Sequence, residues 1–128
     1  MTSTPRTYTF DCANPAALAA FWSAVTGRPV DESPNEYVAA IGMWPRVKDD
    51  MAFLFLAVPE PKTAKNRLHL DLETDDRAAE VARLVELGAT HVADHDEWGI
   101  FWSVLTDPEG NEFCIAAAHP ATRPTRPR

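Results

Sequence analysis

"NRLHLDLETDD", residues 66–76, decides how this chain is read. From Arg67 to Glu73 apolar and polar side chains alternate, as they do in a strand with one face buried. Asp75 or Asp76 then offers a helix cap, and "TDDRAAEVARLVELG" carries Val81, Leu84, Val85 and Leu87 as an apolar stripe that stops at Gly88. Strands are expected at Ala89–Asp94, Ile100–Thr106 and Glu112–Ala118, with "DPEGN" as the tight turn before the last. This half therefore reads β-α-β-β-β.

The half that precedes it says nearly the same. "RTYTFDC" (Arg6 to Cys12) alternates, Asn14 can cap, Pro15 suits a first helical position, and Leu18, Phe21, Trp22 and Val25 recur at helical spacing before Gly27. Short strands are expected at Arg28–Glu32, Glu36–Met43 and Met51–Val58, and "PEPKTAKN" (Pro59 to Asn66) is the linker. Setting His69 over Thr7, an offset of 62 residues, also sets Asp71 over Thr9, Glu73 over Asp11 and Asp76 over Asn14. The expected organisation is one α+β domain over residues 1–121, built by duplication. Module one covers about 6–58 and module two about 67–118, and a disordered tail is expected at 122–128.

Composition narrows the function classes. With 45% apolar residues in 128, the chain suits a single globular domain. A net charge of −7 argues against nucleic acid, whose phosphates need a concentrated basic surface. No apolar stretch nears the roughly 20 residues of a membrane span, and the first residues lack the look of a secretory signal. A cytoplasmic location is expected, with Cys12 and Cys114 as reduced, buried thiols rather than a disulfide.

Four segments in order, "FDCANPAALAAFWSAVTG", "VPEPKTAKNRLHLDLETDD", "VARLVELGAT" and "DPEGNEFCI", carry a resemblance that spans about Thr7 to Ala118. The chain resembles the vicinal oxygen chelate superfamily (glyoxalase I, bleomycin-resistance proteins, extradiol dioxygenases). Within it, the small glyoxalase-like domain proteins common in actinobacteria are most similar. The resemblance implies two tandem βαβββ modules whose strands curl into an incomplete barrel around a cavity, and a homodimer. In metal-dependent members four side chains meet the ion, and the motifs carry those positions onto Thr7, Phe55, His69 and Cys114. Thr is a poor ligand and Phe has no donor, so a His/Cys remainder is not a stable zinc site. No cofactor and no metal are therefore expected. A displaced cluster remains open, because alternation sets Asp11 on the face of Thr7, Asp71 on that of His69 and Glu112 on that of Cys114.

The aromatic residues suggest a ligand instead. Tyr37, Trp44, Phe53, Phe55, Trp98, Phe101 and Trp102 fall on strands or strand ends expected around the cavity. Trp22, beside Phe21, belongs to the core. The expected ligand-binding set is Asp11, Trp44, Phe53, Phe55, His69, Asp71, Trp98, Trp102, Glu112 and Cys114. Its ligand would be a small organic molecule, aromatic or cationic, held by stacking and cation–π contact. If the protein is an enzyme, His69 and Glu112 are the expected acid–base residues of a metal-free isomerase, lyase or cyclase. A metal-dependent lyase or dioxygenase with a rearranged site is a further alternative, and a protein whose dimeric surface is its function is a third. His91 and His95 in "THVADHDEWG" are expected as solvated residues where a strand ends in a loop, and His119 has no partner in the sequence.

Overall fold

The computed structural model describes residues 1–117. His119 and the tail at 122–128 lie outside the described residues, as does the last residue of the strand expected at Glu112–Ala118. The chain divides into two compact units, Met1–Lys62 and a second that starts at Thr63. Among the described residues no helix is long and apolar enough to cross a membrane.

Unit 1 contains β1 (Thr7–Cys12), α1 (Pro15–Thr26), β2 (Val38–Ile41) and β3 (Ala52–Ala57). The Asn14 side chain caps α1 by accepting the Ala17 N–H at 3.2 Å. Gly27, at φ 73°, ends the helix in the left-handed region where a Cβ would be strained. The sheet runs β1-β3-β2, with β1 and β3 parallel and β2 antiparallel to β3. Its core is aromatic. Phe10 meets Trp22 at 5.4 Å and Phe55 at 5.3 Å between ring centroids, and Trp22 meets Phe53 at 5.8 Å. Leu18, Trp22 and Phe55 are completely or almost completely buried.

The strand expected at Arg28–Glu32 is reduced to a single bridge, Val30 to Ile41. Pro29 has no N–H to donate to a ladder. Asp31 then turns its carboxylate to the Gly42, Met43 and Trp44 N–H groups, at 3.0, 2.8 and 2.8 Å. Backbone polar groups that would extend the ladder are satisfied by a side chain instead.

Unit 2 contains β4 (Leu70–Glu73), α2 (Arg77–Glu86), β5 (Thr90–Glu97), β6 (Ile100–Thr106) and β7 (Glu112–Ala116). Asp76, not Asp75, is the α2 cap, accepting the Ala79 N–H at 3.1 Å. The sheet runs β4-β7-β6-β5, with β4 parallel to β7 and the other pairs antiparallel. That order matches unit 1 once the Val30 bridge stands in for a fourth strand. Leu84, Leu105, Phe113 and Ile115 form the core under α2, each at most 1% exposed. Asp107 builds the "DPEGN" turn by accepting the N–H groups of Glu109 and Asn111, at 2.9 and 3.0 Å.

β5 is longer than expected and runs through the segment read as a loop. Its partner β6 follows across a two-residue turn in which Trp98 (φ 57°) and Gly99 (φ 74°) both have positive φ. Two positive φ values in succession suit the right-handed twist of a tight hairpin, and glycine takes that conformation freely. Trp98 does so against the ordinary preference of a bulky residue.

Candidate functional site

Strand alternation divides the side chains of unit 2 between two faces. Phe113 and Ile115 of β7 and Leu105 of β6 enter the core under α2. Glu112, Cys114 and Ala116 of β7, with Ile100, Trp102 and Val104 of β6, line a cavity of about 610 Å³. That volume suits a small organic ligand. Lys65, His69 and Asp71 join them from the chain leading into β4 and from β4 itself, and Trp98 from the hairpin turn.

A bulge in β5 completes the wall. The pairing with β6 shifts between His91 and Ala93, so the consecutive residues Val92 and Ala93 both line the cavity, and so does His95. His95 is exposed, as expected, but it lies on β5 rather than in a loop. Its ring stacks on Trp102 at 5.1 Å between centroids with 26° between planes. His91 pairs instead with Asp94 at 2.7 Å, so the two histidines do not converge on one ion. Asp94 also accepts the Ser103 hydroxyl at 2.6 Å, and the Arg77 guanidinium lies over the Phe101 ring at 4.0 Å. The Ser103 hydrogen bond and then that from His91 hold the Asp94 carboxyl below its ordinary range.

The polar end of the cavity has three potential donors. His69 Nε2 lies 3.3 Å from Asp71 Oδ1. Across the β4–β7 ladder Asp71 is in register with Cys114. The ligating atoms of all three lie within 4.8 Å of one another. Burial pushes the Cys114 thiol up to about 11, and the charge and hydrogen bond of Asp71 add to that against a smaller opposing pull from Lys65. The thiol is therefore protonated at neutral pH and a weak nucleophile. Because its folded value lies above the ordinary 9.0, the stability it contributes is complete below pH 9 and is lost as pH rises through about 11. In a Cys12→Ala background, alkylation of the remaining Cys114 should be far slower than that of a free thiol at pH 8. It should accelerate towards pH 11. Alkylation at free-thiol speed at pH 8 would contradict this account of the site.

Glu112 lines the same cavity in a clamp. Its Oε2 accepts the Asn66 N–H at 3.0 Å while its own N–H donates to Asn66 Oδ1 at 3.0 Å. This ties the chain beside Lys65 to β7. It commits one carboxylate oxygen of the residue expected to act as a base.

Six of the ten expected ligand-binding residues come together here: His69, Asp71, Trp98, Trp102, Glu112 and Cys114. The other four belong to unit 1. Phe53 and Phe55, expected on a cavity wall, are 5% and 0% exposed in the aromatic core, because β3 is the central strand and α1 covers it. Asp11 is exposed on β1, and Trp44 stands 56% exposed after β2. Tyr37 is also exposed in unit 1, and Phe101 lies under Arg77 rather than in the cavity.

Lys65 and His95 were missed as lining residues. Lys65 sits in a linker without periodicity. His95 could have been found from apolar Val92 and Ala93 standing side by side, an irregularity that a bulge accommodates. The four-position metal set of the relatives does not fit this chain. Phe55 is buried without a donor atom, and the Thr7 hydroxyl accepts a hydrogen bond from Arg46 at 3.3 Å.

The family model of the glyoxalase-like domain matches residues 7–116. A search of the curated proteins finds no match. Among solved structures, the chain is similar to a glyoxalase/bleomycin resistance protein/dioxygenase family enzyme from Burkholderia phytofirmans PsJN. The two are 21% identical with a TM-score of 0.68, over 88% of this chain and 97% of that one. The bleomycin-binding protein of Streptomyces verticillus, complexed with copper(II)-bleomycin, is 14% identical with a TM-score of 0.60, over 93% and 99%. The fosfomycin resistance protein FosX of Mesorhizobium loti is 11% identical with a TM-score of 0.67, over 93% and 94%. At such identities the likeness is one of fold, on which unrelated chemistries are built.

Proposed function

The chain belongs to the glyoxalase-like domain family, and from that premise we propose that it binds a small, flat organic molecule in the cavity of unit 2. The reading dispenses with the four-ligand metal centre of metal-dependent relatives. The observation that carries it is the aromatic wall. Trp102, stacked on His95, presents a broad ring inside a cavity of about 610 Å³, and Trp98 stands at its edge 51% exposed. A bulky residue held at positive φ in a turn, with its ring left half in solvent, serves binding better than folding.

The charges favour a cation. Asp71 and Glu112 set two carboxylates in the lining against the single ammonium of Lys65. A planar cation would gain cation–π attraction from the tryptophans and Coulomb attraction from the carboxylates. The Streptomyces verticillus protein, which holds a drug complex on a similar fold, makes sequestration a reasonable model.

Amide chemical-shift mapping with planar aromatic probes of matched size, cationic, neutral and anionic, tests the proposal. Saturable shifts should be concentrated at 65–71, 92–104 and 112–116, with the cation binding most tightly. Shifts concentrated in unit 1, or no saturable binding by any planar probe, would refute it.

A further inference from the structure

Glu112 reaches the cavity from the first position of β7, where the ladder supports it on one side only. It pairs with Thr106 of β6, but β4 pairs with β7 only from Leu70 and Phe113 onwards. Asn66 takes the place of the missing partner. Its N–H donates to Glu112 Oε2 at 3.0 Å, and its side-chain Oδ1 accepts the Glu112 N–H at 3.0 Å. We infer that Asn66 is a positioning residue: through this two-way pair it holds the Glu112 carboxylate at the cavity wall and so sets the preference of the site for a cationic over a neutral ligand. The inference rests on the proposed binding of a flat cation and concerns how one of its carboxylates is held.

Three observations carry it. First, the bond to Oε2 has an ionised acceptor, which makes it stronger than a bond between neutral groups. Second, Asn66 is itself fixed from the other side. Because the Glu112 N–H can only donate, the Asn66 amide has one orientation, with Nδ2 turned to Asn111. That Nδ2 donates to Asn111 Oδ1 at 3.2 Å, and Asn111 Nδ2 donates to Asp107 Oδ2 at 3.0 Å. Asp107 is 3% exposed and anchors the "DPEGN" turn. A run of side-chain bonds thus extends from a buried aspartate to the cavity wall, and Asn66 is its last link before Glu112.

Third, the clamp acts on charge and not on stacking. A glutamate without it would lose rotamer freedom each time a ligand recruited its carboxylate. With the clamp that freedom is already given up on folding, and an incoming cation meets a carboxylate in place. Trp102, the stacking ring, stands on β6 and is not part of the run. Loss of the clamp therefore weakens a planar cation more than a neutral molecule of the same shape.

Calorimetric titration with N-methylquinolinium, a planar cation, and quinoline, its neutral counterpart at pH 7, tests the inference in four proteins: wild type, Asn66→Ala, Glu112→Gln and the double variant. The wild type should prefer the cation. Asn66→Ala should lower the cation-to-neutral ratio of affinities at least about threefold, yet change it less than about 1.5-fold in the Glu112→Gln background, since a residue acting through Glu112 has nothing left to act on. A purely structural role would weaken both probes alike and leave the ratio unmoved, which would overturn the inference while the cavity reading stands. A wild type without a preference for the cation, or an equal fall in the ratio in both backgrounds, would also overturn it. Failure of both probes to bind the wild type would refute the cavity reading and the inference together. Amide hydrogen exchange of the probe-free wild type reads the clamp without any variant. The Glu112 N–H should exchange well below the rate of an unstructured amide, and exchange at that rate would contradict the clamp.

Discussion

Phe55→Ala should lower the unfolding free energy by about 3–5 kcal/mol, the usual cost of emptying an aromatic position in a closed core. Phe55 lies on the central strand of unit 1 at 0% exposure, with Phe10 at 5.3 Å and Phe53 at 6.3 Å between ring centroids. Removing its ring leaves a void that these neighbours cannot close, because the β1 and β3 ladder holds their backbones in place. The loss is a large share of the 5–15 kcal/mol that stabilises an ordinary domain. A fall of roughly 10–20 °C in the melting midpoint should accompany it. Planar-probe affinity, measured where the variant is still folded, should change less than about twofold. Denaturant unfolding and calorimetric titration on the same preparation check both halves. A destabilisation under about 1 kcal/mol combined with a large loss of affinity would return Phe55 to a ligand-binding surface.

The contrast between Phe55 and Trp102 shows where sequence reasoning reached its limit. Both were assigned to a cavity wall, since each sits on a strand with the right periodicity. Period two separates the two faces of a strand, but does not say which face meets a helix and which is left open. On β7 and at the start of β4 the polar residues resolve the ambiguity: Glu112 and Cys114 alternate with Phe113 and Ile115, and His69 alternates with Leu70 ahead of Asp71. The lining found on those strands has that alternation. β3 reads "AFLFLA", apolar on both faces, so its pattern could not say which residues were core.

The elements themselves were legible where capping and periodicity agreed. β6 spans Ile100–Thr106 as expected, α1 starts after Asn14 and ends at Gly27, and α2 follows an aspartate cap. The failures have local causes. Arg28–Glu32 is broken by Pro29 and by the carboxylate of Asp31 taking up backbone N–H groups. β5, at the edge of its sheet, carries "DHDE" near its end and is almost wholly exposed. Edge strands tolerate charge on both faces, so the alternation that betrays a half-buried strand is missing there. This is why the sequence reads the segment around His95 as a loop and gives no sign of its stacking on Trp102.

Trp102→Ala should reduce affinity for a planar aromatic cation at least about tenfold. A stacked aromatic pair is worth about 0.5–1.5 kcal/mol beyond the area it buries, and the indole also supplies much of the apolar wall. Together these exceed the 1.4 kcal/mol that a tenfold change requires. Trp102 is half-buried on β6 rather than in the core under α2, so the fold should survive the change. His95 loses its stacking partner in the same variant, and His95→Ala should reproduce part of the effect.

Calorimetric titration of the wild type and Trp102→Ala side by side with one planar aromatic cation is the most direct test of the proposed function. A wild-type protein that binds one probe per chain, with Kd raised at least about tenfold in the variant, is the expected result. Equal affinity in the two proteins would place the binding surface elsewhere and contradict the assignment of the unit 2 cavity.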